Sequence, residues 1–359
     1  GMLENGLPSF RLEKDVVQAE IDVLREMGVQ FRCGVEVGKD VTIAQLREQG
    51  YQGFYVAVGL QSGGRLNIPG DDAQGVTAGI DFMRRVNGGQ ETKLEGRVVV
   101  IGGGPAGMQA AITLAKRAFH VILLEQKSYL GGMAYLATVP PHKTMVAEFI
   151  KTLEAEMKEL GVDVRMNVTA DVATVKALEP YAVVVANGGT EIVPQVAGLD
   201  SAHVHTMEDT LLGKVKFSGR KVAVIGGGMV GLETAHYLCK DNQVTIVEMT
   251  ATPGATMYPT VRNKLLSILK EDGVELLLNH ALTAVEKDGL LMTCTDSEEP
   301  KQECMAVDEV VIAVGRKPNM DLYHEMEAAF ERVVQAGDCI VGGSILEATR
   351  TGNDNVWFL

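Results

Sequence analysis

Val98–Gln109 reads VVVIGGGPAGMQ, and Val222–Glu233 reads VAVIGGGMVGLE. In each, an apolar run leads into a glycine loop spaced G-x-G-x-x-G. Gly102, Gly104 and Gly107 make the first loop, and Gly226, Gly228 and Gly231 make the second. In this spacing the first glycine permits a tight turn, the second lets backbone approach a pyrophosphate, and the third lets helix and strand pack closely. A phosphate then meets unpaired N–H groups at the positive end of the helix. One such loop alone is a weak signal. Here each follows an apolar strand, opens a helix and leads to a second strand ending in an acid, Glu125 or Glu248. Each acid stands roughly 20 residues past its loop, where a carboxylate accepts hydrogen bonds from ribose hydroxyls.

Two dinucleotide loops in one chain imply a hydride donor and acceptor held face to face, nicotinamide stacked on flavin. The first loop is expected to hold FAD and the second NADH. A carboxylate at Glu248 suits the free hydroxyls of NAD and repels the extra phosphate of NADP, so NADH is favoured over NADPH.

The chain also repeats itself on a larger scale. VLREMGVQFRCG from Val23, EMKELGVDVRMN from Glu156 and ILKEDGVELLLN from Ile268 each read as a helix end, a turn and a strand. Gly28, Gly161 and Gly273 sit where a helix C-cap needs a left-handed residue. Three apolar runs, FYVAVG to Gly59, VVVANG to Gly188 and VVIAVG to Gly315, read as buried parallel strands. Only the second and third copies have a front half with its glycine loop. Residues 1–95 therefore read as the rear of a nucleotide-binding domain. Either the sequence is a fragment starting past a missing loop, or this is a small α/β subdomain with Gly1-Met2 as an expression remnant.

Composition narrows the class. With 359 residues, 46% hydrophobic and 22% charged, the chain has room for about two to three globular domains. A formal net charge of −14 with no basic cluster disfavours nucleic acid. No apolar run approaches the roughly 18 residues of a membrane span, and no signal peptide is legible, which points to the cytoplasm. Cys33, Cys239, Cys294, Cys304 and Cys339 form no CxxC or CxxxxC pair, so no redox dithiol, iron–sulfur cluster or metal site is suggested, and buried, reduced cysteine is expected.

From Arg97 onward the chain resembles the two-dinucleotide-binding flavoproteins of the pyridine nucleotide oxidoreductase superfamily. It is most similar to the C-terminal module of old yellow enzyme-type enoate and dienoyl-CoA reductases. GGGPAGMQAA, the doublet Gly131-Gly132 followed by ATVPPHK, GGGMVGLETA, AVGRKPN and AGDC carry the likeness. Residues 1–95, with GLPSFRLEKDVV, VEVGKDVT, FYVAVG and LNIPGDD, resemble the FAD domain of the glutamate synthase small subunit and dihydropyrimidine dehydrogenase group.

The resemblance implies two Rossmann-like α/β domains, with the FAD domain in two parts, 96–205 and 306–359, and the NAD domain inserted at 206–305. It implies that Gly102, Gly104, Pro105, Ala106, Gly107 and Glu125 cradle the FAD pyrophosphate and ribose, with Gly132 and Met133 along the cofactor. Ala186, Asn187 and Gly188 would stand near the crossing between domains. Gly337 and Asp338 would reach the flavin's ribityl chain. Gly226, Gly228, Met229, Val230, Gly231, Glu248 and Gly315 would serve NADH. Glu233 is a candidate neighbour of the nicotinamide, or a solvated helix glutamate. TGNDNVWFL lacks the longer helix usual after the GD motif, so the far side of the flavin ring is expected to be incompletely covered.

The implied activity is transfer of hydride from NADH to FAD, with electrons leaving to another domain or subunit carrying FMN or an iron–sulfur cluster. Two alternatives stand beside it: a glutamate synthase-like electron-feeding subunit, and a non-catalytic fragment whose nucleotide site needs a partner.

Overall fold

The apolar runs before the glycine loops are covered on both faces, as strands of a helix-flanked parallel sheet are. Val98, Val99 and Val100 have no exposed surface, and Val222, Ala223 and Val224 have at most 1%. In the computed structural model these runs are the central strands of two sheets. The structure describes residues 1–59, 63–64, 68–72, 76–90, 96–296, 301–357 and 359. They fall into two units, Gly1–Leu94 and Glu95–Leu359.

In the second unit the first sheet is built from β1 (Arg97–Ile101), β2 (His120–Glu125), β3 (Asp163–Met166) and β4 (Ala182–Val185). The chain leaves through β5 (Gly189–Glu191) into β6 (Val204–Thr206), β7 (Lys221–Ile225), β8 (Gln243–Glu248) and β9 (Glu275–Leu278). An antiparallel layer follows, β10 (His280–Glu286), β11 (Gly289–Cys294) and β12 (Lys301–Ala306). Next come β13 (Glu309–Ile312), β14 (Arg316–Pro318) and β15 (Val333–Gln335).

The two five-stranded sheets run β15-β4-β1-β2-β3 and β6-β13-β7-β8-β9, all parallel. Strand order reverses direction beside β1 and beside β7. Ligands of open α/β sheets bind outside the carboxyl ends of strands at such a switch point, and each glycine loop leaves the sheet there. β5 and β14 pair antiparallel and carry the chain out to the second lobe and back. Leu136, 1% exposed on the short helix Gly132–Leu136 of the first lobe, belongs to the core of the second with Met207 and Leu211. Burying such a side chain contributes about 1.5–3 kcal/mol and joins the lobes by packing as well as by covalent hinge.

Strand membership shifts the expected division of the chain. β13 is an inner strand of the second sheet and β6 (Val204–Thr206) its edge strand, so this lobe takes residues on both sides of the expected 206–305 insert. The C-terminus also differs from expectation. Ile345–Asp354 is a ten-residue helix that runs through the TGND stretch. It packs on helix Pro105–Lys116 so closely that a Cβ on Gly352 would stand 2.3 Å from the Ala106 carbonyl oxygen.

The left-handed caps appear at all three repeats, with φ of +92° at Gly28, +73° at Gly161 and +76° at Gly273. The strands that should follow form only in the second and third copies, as β3 and β9. In the first unit the described residues hold helices Met2–Asn5, Lys14–Glu26, Ile43–Glu48 and Gly79–Asn87 and an isolated bridge between Val37 and Val41. None of its described residues is buried. The run FYVAVG is not a buried strand: Tyr55, Val56 and Val58 are 95%, 76% and 71% exposed. A parallel strand needs another strand beside it, and the described residues of this unit hold no strand. Leu66 and Asn67 of LNIPGDD lie outside the described residues.

Among the described residues no helix is long and apolar enough to cross a membrane. With none of its described residues buried, the first unit should open at little cost. Brief proteolysis under native conditions is expected to cut within residues 1–94 first and leave a stable product beginning near Glu95. Equal resistance of both units would contradict this.

Candidate functional site

The two glycine loops have the same geometry. Gly102 and Gly226 turn at φ of +108° and +107°, a region that side chains rarely enter. A Cβ on Gly107 would lie 1.9 Å from the Gly102 carbonyl oxygen, and one on Gly231 would lie 1.9 Å from that of Gly226. The middle glycines differ in kind. The nearest atom to a Cβ on Gly104 is the Gly132 Cα at 4.0 Å, and nothing lies within 4 Å at Gly228. The outer glycines are thus closed against backbone while the middle one faces open space, the shape a pyrophosphate requires. Gly104 and Gly228 are the N-caps of helices Pro105–Lys116 and Met229–Leu238, and neither cap position carries a side-chain hydrogen bond.

The acids at the ends of β2 and β8 are also equivalent. Glu125, 6% exposed, accepts the Gly103 N–H at 2.6 Å and the Lys127 N–H at 2.7 Å. Glu248 accepts the Gly227 N–H at 2.6 Å and, through its other oxygen, the Thr250 N–H at 2.8 Å and hydroxyl at 2.7 Å. Each carboxylate therefore fixes its glycine loop and stands at the loop's outer edge. The residues fit a dinucleotide at both switch points.

Where the lobes cross, several polar atoms lack partners. The Ala186 carbonyl packs on Gly102, and the Asn187 amide donates to the Asn319 carbonyl at 3.4 Å while its Oδ1 is buried without a partner. Gly188 turns at φ +72° into β5. Arg316, the first residue of β14, donates to the Gly189 carbonyl, but its Nε and Nη1 are buried and unpaired, as is Oε1 of Glu191. Burial pushes the Glu191 carboxyl up, and the Arg316 guanidinium partly offsets this. A cavity of about 140 Å³ opens here at the carboxyl ends of β6 and β13, lined by Glu191, Thr206, Val230, Gly315 and Arg316 among others. Buried unpaired polar groups are costly, a cost that a polar ligand or water at this crossing would offset. AVGRKPN contained Arg316, yet its motif role hid its orphaned donors, since burial is a tertiary property.

Gly132 lies against Gly104, where its own Cβ would come 3.0 Å from the Gly104 Cα. Met133 packs against the core of the second lobe. Met229 is 42% exposed at the opening of its helix. Gly337 sits over Ala106, and Asp338 is half-buried, accepting the Gly343 N–H at 3.2 Å. Glu233 is not a solvated helix residue: it is 7% exposed and ion-paired with Lys143 of the ATVPPHK loop. A second ion pair, Lys127 with Glu208, also links the two lobes. Neither lysine was singled out by its sequence context, because both partners come from the other lobe. The cysteines depart from the expectation of burial: Cys33 and Cys304 are exposed, Cys239 and Cys294 intermediate, and only Cys339 is buried.

These contacts have measurable consequences. Gly231→Ala is expected to push helix Met229–Leu238 off β7 and weaken nicotinamide nucleotide binding on the order of a hundredfold, and Gly107→Ala to strip flavin during purification. Both are read by nucleotide titration and visible absorbance. For Asp338, burial raises the carboxyl pKa, with the Gly343 N–H and Arg316 opposing. A raised acid favours the neutral form, so ionising it costs stability as pH rises through its folded value. Asp338→Asn should therefore raise the thermal midpoint of flavin-free protein at neutral pH relative to acid pH. A midpoint shift independent of pH would contradict this.

The comparisons with known proteins agree with this geometry. The chain is 37% identical over 273 residues to the NADH oxidase of Thermoanaerobacter brockii, covering 75% of this chain and 42% of that one. It is 37% identical over 115 residues to the NAD-dependent dihydropyrimidine dehydrogenase subunit PreT of Escherichia coli, covering 32% of this chain and 27% of that one. The fold superposes on a 2-naphthoyl-CoA reductase with a TM-score of 0.68 at 26% identity, covering 75% of this chain and 42% of that one. The chain thus spans less than half the length of these relatives. A family model described as pyridine nucleotide-disulphide oxidoreductase matches twice, over residues 18–179 and 96–336. The chain belongs to the pyridine nucleotide-disulphide oxidoreductase family.

Proposed function

We propose that the chain takes hydride from NADH at the second glycine loop onto FAD held at the first, and passes the electrons to another domain or subunit carrying FMN or an iron–sulfur cluster. The observation that carries this reading is the duplicate cradle, the same closed outer glycines and pinned carboxylate on two sheets joined by the β5–β14 hinge. FAD supplies the redox chemistry when bound, and the chain supplies position and electrostatics.

Gly102, Gly104, Pro105, Ala106, Gly107 and Glu125 would hold the flavin's pyrophosphate and ribose, and Asp338 would accept from its ribityl hydroxyls. Arg316 and Asn187 would meet polar edges of a ligand at the crossing, which offsets the cost of their unpaired atoms. Gly226, Gly228, Met229, Val230, Gly231, Glu248 and Gly315 would serve the nicotinamide nucleotide. Glu233 is tied to Lys143 and so acts through position; no protein acid or base is needed for hydride transfer. A role as electron-feeding subunit is favoured by one specific finding, the second family match beginning at residue 18, with residues 1–95 then contributing the rear of a further nucleotide domain.

Anaerobic titration of the purified chain tests the central reading. NADH at stoichiometric amounts is expected to bleach the flavin band. Absence of flavin that added FAD does not restore would sink it. With Glu248 as the carboxylate that would face the nucleotide ribose, Glu248→Arg should shift preference toward NADPH by about tenfold or more. An unchanged preference would remove Glu248 from nucleotide choice.

A further inference from the structure

The chain carries a formal net charge of −14, yet one cleft of the second unit gathers lysine and histidine side chains. It has a volume of about 430 Å³ and lies between the Pro140–Lys143 loop of the first lobe and helices Met229–Leu238 and Pro259–Glu271 of the second. That volume falls within the roughly 300–1,000 Å³ of small-molecule sites. His142, Lys143, His236 and Lys264 line it, against one carboxylate, Glu233.

Lys143 is neutralised within the protein, and Lys264 is not. Glu233 is committed to Lys143. His236 has Asp272 at 3.7 Å on its other side. Lys264 and His142 have no carboxylate partner among the described residues, and both are exposed at the cleft. His142 is held at φ +65°, a left-handed conformation that costs a non-glycine residue on the order of 1 kcal/mol. Its ring centroid lies 6.2 Å from that of His236. Pro141, Leu265 and Ile268 supply apolar wall between the charged groups. An apolar wall under a cationic rim suits a ligand with a flat hydrocarbon body and one negative end.

We propose that this cleft binds a small organic carboxylate. Its apolar body rests on Pro141, Leu265 and Ile268, its carboxylate pairs with Lys264, and Lys143 and an imidazole N–H donate hydrogen bonds to it. Such a ligand touches both lobes at once and offers Lys143 a second anion beside Glu233. None of its lining residues is one of the loop glycines, and Glu233 follows Gly231 of the second loop by two residues.

Benzoate is a suitable probe, with benzyl alcohol as its uncharged counterpart, and the FAD-loaded full chain as the sample in isothermal calorimetry without nicotinamide nucleotide. Saturable benzoate binding at a Kd of about 1 mM or tighter is expected, with benzyl alcohol at least about tenfold weaker. Lys264→Glu, a surface change that spares the core, should weaken benzoate by about tenfold or more. His236→Gln should weaken it less. No saturable binding, equal affinity in the Lys264→Glu chain, or competitive displacement by NADH would each overturn the proposal. The last outcome would make the cleft part of the dinucleotide site, and flavin bleaching by NADH reports separately on the electron-transfer reading.

Discussion

Everything in the larger unit depends on one close approach, the third glycine of each loop lying on the carbonyl of the first. At Gly107 and Gly231 a single added carbon would stand 1.9 Å from oxygen, far inside contact distance, so the helix sits on its strand only while both positions stay bare. That packing aims the helix's free N–H groups at the switch point of the sheet, where the strand order places an open crevice. The carboxylates of Glu125 and Glu248 then lock the loops from the neighbouring strand. Two sites of one design follow from two copies of one constraint.

The lobes that carry these sites are joined in three ways of different character. The β5–β14 pair is a covalent hinge, Leu136 packs across into the second core, and Lys127–Glu208 and Lys143–Glu233 are ion pairs between lobes. Burial opposes the charge on Lys127, and its hydrogen bond to the Glu208 carboxylate offsets this, so its pKa is raised. Apolar packing carries more of the stability, because partly exposed ion pairs contribute little net energy. The pairs instead fix which face of one lobe meets the other, and the cationic cleft beside Lys143 exists only in that arrangement.

The first unit shows what repetition in a sequence does not guarantee. Its glycine cap forms at Gly28, as in the other two copies, because a cap is decided by a few adjacent residues. Its strands do not form, because strands are decided by neighbours. FYVAVG has the same apolar character as VVVANG, but β4 has β1 and β15 on its flanks, while Tyr55, Val56 and Val58 stand in the open.

Sequence by itself determined the α/β class, the two glycine loops, the acids at the ends of β2 and β8 and the helix caps. All are local patterns in which spacing sets geometry. Tertiary structure decided the rest: the reach of the second sheet to β13, the burial of Glu233 against Lys143, the orphaned donors of Arg316 and the cleft between lobes. Each of these joins residues far apart in the chain, and which partners meet is fixed by how the two sheets pack, a property no local spacing encodes.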